Sequence, residues 1–116
     1  MTYRGVFMMS DTLWRKLFRA FDGSDLPVQQ ARLKLFDIEG VHVIRTPGRA
    51  AFRRSGRYIE TIELGPIAFR TIEWLEVPVA GGTKQDLVRI ERLLAGVAVF
   101  PTKHTEDTLR IVGHVR

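Results

Sequence analysis

The apolar residues of this chain keep two different periods, and that switch limits what it can fold into more than any other feature. Leu13, Trp14, Leu17, Phe18 and Phe21 recur at helical spacing, so they form one stripe on a helix of about 3.6 residues per turn. Ser10 can cap that helix, Asp11 suits the positive end of its dipole, and Asp22-Gly23 ends it. From Ala31 the period falls to two. Ala31, Leu33 and Leu35 share one side and Arg32 and Lys34 the other, the pattern of a half-buried strand.

The same reasoning carries along the chain. Glu39-Gly40 can turn the strand back into Val41-His42-Val43-Ile44-Arg45, which Thr46-Pro47-Gly48 stops. A second pair of strands is expected over residues 57–64 and 67–77, flanking Gly65-Pro66 and rich in Ile, Thr, Tyr, Phe and Trp. Ile72-Glu73-Trp74-Leu75-Glu76-Val77 places apolar side chains on both faces, which predicts a central strand or a bulged one. Thr83, with Asp86 three residues on, caps a second helix that turns Leu87, Ile90, Leu93 and Leu94 inward and closes at Gly96. Two last strands are expected over residues 97–100 and 108–115, around the polar stretch 102–107.

The expected order is therefore α-β-β-β-β-α-β-β. Hairpins outnumber any βαβ crossover, so the fold class is α+β, a mainly antiparallel sheet with two amphipathic helices packed against it. No repeat, low-complexity tract or linker divides residues 1–116, which are read as a single domain. Met8 and Met9 precede the helix start, so the first residues, 1–9, are read either as a disordered or mis-started extension or as fold.

With 45% apolar residues the chain has enough material for a core. It contains no cysteine, which excludes disulfides, thiolate zinc sites, iron–sulfur clusters and cysteine nucleophiles and fits a reducing cytoplasm. No apolar run approaches the roughly 18–20 residues that span a bilayer, and the N-terminus lacks a secretory apolar region. Charge is uneven. Residues 1–58 hold 11 Lys+Arg against 5 Asp+Glu, net +6, and residues 59–116 hold 7 against 8, net −1.

The basic half concentrates its charge in one place. Arg45, Arg49, Arg53, Arg54 and Arg57 fall in a thirteen-residue window without a carboxylate, with Phe52 inside it and Tyr58 at its end. Guanidinium forks beside aromatic rings can dock onto an acidic protein surface, or grip phosphates and stack on single-stranded bases. The same residues can equally form a solvated loop that pairs with Glu60 and Glu63. A general nucleic-acid reader is weakened by the lack of any helix-turn-helix, RRM, KH or zinc-finger signature.

Other chemistry finds less support. Glu60, Glu63, Glu73 and Glu76 bracket the second strand pair, yet Glu73 and Glu76 differ by three, so a regular strand sends them to opposite faces. His42, His104 and His114 stand in no metal-binding spacing, although a tertiary site would remain open to them. Ser10, Ser24 and Ser55 lie outside any nucleophile motif. Gly81-Gly82-Thr83-Lys84 lacks the spacing of a phosphate loop and reads as a connection with a cap.

Three segments carry a resemblance: Thr12-Leu13-Trp14-Arg15-Lys16-Leu17, Ile72-Glu73-Trp74-Leu75-Glu76-Val77 and Leu109-Arg110-Ile111-Val112-Gly113-His114. With these the chain resembles a small bacterial domain family of unknown function that has a Trp-containing first helix and an Ile-Glu-Trp-Leu-Glu type strand. The resemblance supplies no catalytic residues. It implies a protein that acts by binding a partner, similar to bacterial immunity and inhibitor-like proteins.

The expectation is thus a non-enzymatic protein-interaction module, with an immunity-like inhibitor as one form of it, without cofactor or metal, that meets an acidic protein surface through Arg45, Arg49, Phe52, Arg53, Arg54, Arg57 and Tyr58. The alternative is a nucleic-acid-binding accessory protein that uses the same segment. An enzyme built on a His/Glu site ranks third.

Overall fold

Ser10 starts the first helix as its side chain predicts. Its Oγ accepts the Leu13 N–H at 3.1 Å, which satisfies one of the donors a helix leaves unpaired at its N-terminus, and its carbonyl accepts the Trp14 N–H in the first intrahelical bond. In the computed structural model, which describes residues 6–22, 30–45, 56–78, 84–105 and 108–115, this helix is α1, Asp11–Asp22. Trp14, Leu17, Phe18 and Phe21 are all buried. The Trp14, Phe18 and Phe69 rings follow one another at centroid separations of 6.2 and 6.1 Å, within the range of favourable offset packing.

α1 packs over a five-stranded sheet. Counting from a short β1 at Val6–Phe7, its strands are β2 (Gln30–Leu35), β3 (Val41–Arg45), β6 (Ile72–Pro78), β7 (Thr102–His104) and β8 (Thr108–Val112), in the order β3-β2-β6-β8-β7 with every neighbour antiparallel. Ala31, Leu33 and Leu35 of β2, Leu75 and Val77 of β6, and Leu109 and Ile111 of β8 face the core. The second helix, α2 (Lys84–Ala95), covers it with Leu87, Ile90 and Leu94. Gly40 turns β2 into β3 at φ +91°, a backbone region that costs glycine nothing. The α+β architecture expected from the two periods is the one observed.

The middle of the chain differs from the expectation in three details. The second strand pair is a separate ribbon, β4 (Tyr58–Thr61) with β5 (Gly65–Ala68). Gly65-Pro66 lies inside it rather than at its turn, because the Thr61 hydroxyl accepts the Leu64 N–H and donates to the Gly65 carbonyl, while Gly65 takes φ +69°. The run expected as one strand over 67–77 then breaks at a 3₁₀ turn, Phe69–Thr71, where the Phe69 ring enters the core and the Thr71 hydroxyl donates to the Ala68 carbonyl. Only after this break does β6 join the main sheet.

β6 is both central and bulged. Leu33 faces Leu75, Lys34 faces Trp74 and Leu35 faces Ile72, so Glu73 is the extra residue. Near the C-terminus, residues 97–100 form no strand. The N–H groups of Gly96, Val97 and Ala98 turn back to the carbonyls of Arg92 and Leu94 and wind the end of α2 further, so extension begins only after Pro101, and β7 occupies part of the stretch expected to be a polar loop.

Gly113 separates β8 from β9 (His114–Val115). A Cβ there would overlap the Ile72 carbonyl oxygen and come within 3.0 Å of Trp14 Cζ2. Its N–H donates to the Glu73 carbonyl and its carbonyl accepts the Met8 N–H, each at 2.8 Å. β9 then pairs with β1, Val6 opposite Val115 and Phe7 opposite His114, and Met9 is buried. Residues 6–9 therefore belong to the packed structure. The residues proposed to cap α2, Thr83 and Asp86, lie outside the described residues or their side chains do. Among the described residues no helix is long and apolar enough to cross a membrane.

Candidate interaction face

Both helices cover one face of the main sheet, and the registers define what the other face carries. Val43 stands beside Arg32, Arg32 beside Glu76, Glu76 beside Arg110 and Arg110 beside Lys103, one row across all five strands. The next row reads Val41, Lys34, Trp74, Val112. Alternation along each strand makes these the outward side chains, since their neighbours Leu33, Leu75, Leu109 and Ile111 are buried.

The centre of this face is fixed by Glu76. Its Oε2 accepts from both Nε and Nη2 of Arg110 at 3.1 Å, and its Oε1 lies 3.7 Å from Arg32 Nη2. The Glu76 side chain is only 13% exposed, so these charge-assisted contacts are less screened than an ordinary surface pair. The Arg110 guanidinium also lies 4.2 Å from the Trp74 ring centroid, within cation–π range. Arg110 is thus held from two sides, and a pre-oriented guanidinium loses less entropy when it meets another group.

The bulge corrects one expectation. By adding a residue it turns Glu73 to the same side as Glu76, where Glu73 Oε2 lies 3.2 Å from Lys34 Nζ. Each of the two carboxylates meets a cation, so they serve the charge lattice rather than sharing a proton. The face carries Arg32, Lys34, Lys103 and Arg110 against Glu73 and Glu76, and Arg45 adds a further cation at the β3 end.

The arginine segment itself is divided. Arg49, Phe52, Arg53 and Arg54 lie outside the described residues. Arg45 ends β3, where its backbone N–H donates to Glu63 Oε2 at 3.2 Å and its Nε lies 3.9 Å from the same oxygen; this is the carboxylate pairing that the solvated-loop reading anticipates. Arg57 and Tyr58 open the other ribbon and border a shallow cavity of about 550 Å³ with Phe7, Ser10 and Arg70.

The three histidines occupy separate places. His42 sits on the core side of β3. His104 Nε2 lies 3.3 Å from Glu91 Oε1 at the rim of an open cavity of about 630 Å³ between α2 and β7. His114 is buried between Phe7 and Phe36, its Nε2 2.7 Å from the Arg70 carbonyl, which can only accept. Among the described residues no three His, Asp or Glu side chains converge on a point that could hold a metal ion.

Sequence reasoning overlooked Arg32, Lys34, Trp74 and Arg110 as a group. Their alternation with apolar neighbours was visible, but their adjacency depends on β6 lying between β2 and β8, which no local spacing encodes. Comparison with family models, with curated proteins and with solved structures finds no match to this chain.

Proposed function

We propose that this protein is a non-enzymatic interaction module, of the kind that inhibits or sequesters, and that its outer sheet face docks onto an acidic surface of another protein. The observation that carries this reading is the Arg32–Glu76–Arg110–Lys103 row, with Arg110 fixed over Trp74. A rigid sheet that presents oriented guanidinium groups beside an aromatic body matches what protein interfaces enrich, namely Arg and Trp at their centre. Long-range attraction from a net charge of +5 would speed the encounter with an acidic partner. The cysteine-free composition suits work in a reducing cytoplasm.

A nucleic-acid role is the second reading, favoured by the same combination of basic groups and one aromatic ring. Arg110 over the indole counts against it, since the ring face that would stack a base is already covered. The experiment is affinity capture from the native cells with and without nuclease, using the wild type and Arg110→Ala. Capture of protein that survives nuclease, falls with salt and is lost in Arg110→Ala supports the protein-docking reading. Capture abolished by nuclease transfers the face to nucleic acid.

A further inference from the structure

The two edges of the main sheet are built differently. β7 is three residues long, exposed throughout, and carries Lys103 and His104; short charged edges are one way that sheets keep other strands away. β3 is five residues long, and its outer-face valines, Val41 and Val43, are 52% and 53% exposed.

The hydrogen-bonding direction of β3 follows from its neighbours. Phe36 donates its N–H to the Thr71 carbonyl on the β6 side, so even-numbered residues of β2 address β6 and odd-numbered ones address β3. Ala31 and Leu33 therefore exchange hydrogen bonds with Ile44 and His42, and the backbone groups of Val41, Val43 and Arg45 point to the side on which no strand pairs among the described residues. Arg45 agrees: its N–H faces away from Gln30 and reaches Glu63.

We propose that the β3 edge is a strand-addition site, filled by an extended acidic segment of the protein partner. This rests on the reading that the outer face docks an acidic protein, and it names how that partner is gripped. Backbone hydrogen bonds would form to Val41 and Val43, a carboxylate on the added strand would face Arg45, and β-branched or aromatic residues at alternate positions would cover the two valines.

Charge selects the occupant. The added strand would lie beside Arg45, with Arg32 and Lys34 one strand further in. A second copy, also net +5, would bring its own Arg45 and the same excess of positive charge. Glu63 gives the local precedent, because it offers Arg45 both a hydrogen-bond acceptor and a negative charge. An added strand would supply these through its carbonyl and its acidic side chain.

The test uses the full chain and a short acetylated peptide that alternates Val, Val and Glu with Thr, alongside the same peptide with Lys for Glu. The acidic peptide is expected to slow amide exchange at Val41 and Val43 and to bind at least about tenfold more tightly than the Lys peptide. Val43→Pro should abolish binding by removing an edge donor. Because proline can disturb folding, Val43→Glu, which sets a negative charge on the outer face against the acidic strand, should weaken binding with an unchanged melting temperature. Glu63→Ala should tighten binding by vacating the Arg45 N–H.

Equal affinity for the two peptides, no protection at Val41 and Val43, or unchanged binding in Val43→Glu would overturn the proposal. So would peptide-free self-association that protects the same amides, which would assign the edge to a second copy. If the peptide fails while capture of the protein partner still depends on Arg110, the outer face stands and the edge proposal falls. If the peptide binds at β3 while Arg110→Ala leaves capture unchanged, the edge stands and the outer-face reading falls.

Discussion

The two faces of β6 divide the labour of the protein. On one, Leu75 and Val77 are buried under the helices; on the other, Trp74 and Glu76 hold Arg110 in place at the surface. Apolar burial supplies most of the free energy of folding, and in the proposed docking role oriented charge supplies discrimination between partners. Because alternate residues on a strand serve opposite faces, the two tasks can be changed separately by substitutions one position apart.

The sharpest test of this division removes core volume. Leu17→Ala should cost about 2–5 kcal/mol, since Leu17 is fully buried and the cavity it leaves can collapse only partly; a denaturant titration measures it. Next comes Gly113→Ala, where a methyl group would meet the Ile72 carbonyl and the Trp14 ring. We expect a loss of about 1–3 kcal/mol, as for overpacked sites, accompanied by faster amide exchange at Met8.

On the outer face the effects should be smaller for stability and larger for binding. Glu76→Gln leaves Arg110 and Arg32 without their carboxylate and should destabilise by about 1 kcal/mol. Arg110→Ala should move the thermal midpoint less than that while reducing partner capture about tenfold. A core-sized loss of stability in Arg110→Ala would show that the two faces are not separable. The smallest change should come from Val99→Ser, since Val99 is 93% exposed and substitutions at such sites usually stay within about 0.5 kcal/mol.

Much of the core-facing side was legible in the sequence. The α1 stripe, the alternation of β2 and the inward residues of α2 each follow from spacing within one element, because burial repeats with the period of the backbone. The outer face was not legible, since Arg32, Glu76 and Arg110 become neighbours only through strand order and register. Two breaks were also missed. The 3₁₀ turn at Phe69–Thr71 follows a tertiary demand to bury Phe69, and the winding after α2 uses backbone hydrogen bonds that side-chain pattern does not report. Attention to the arginine segment did find one end of the candidate site, Arg45, but through charge density rather than geometry.

The pairing of β1 with β9 has a consequence for the order of assembly. Val6 meets Val115 and Met8 meets Gly113, contacts that close a loop of nearly the whole described chain. During synthesis α1 can gather its turns as soon as it emerges, but the ribbon that joins its entry to the last strands must wait until residues 113–115 are available. A ribosome-bound chain lacking those last residues would therefore leave Val6–Phe7 without its partner strand. Contacts of such long sequence separation are among the slowest to form, so a truncation before Gly113 should trap a species in which the helix is present and its N-terminal seam is open.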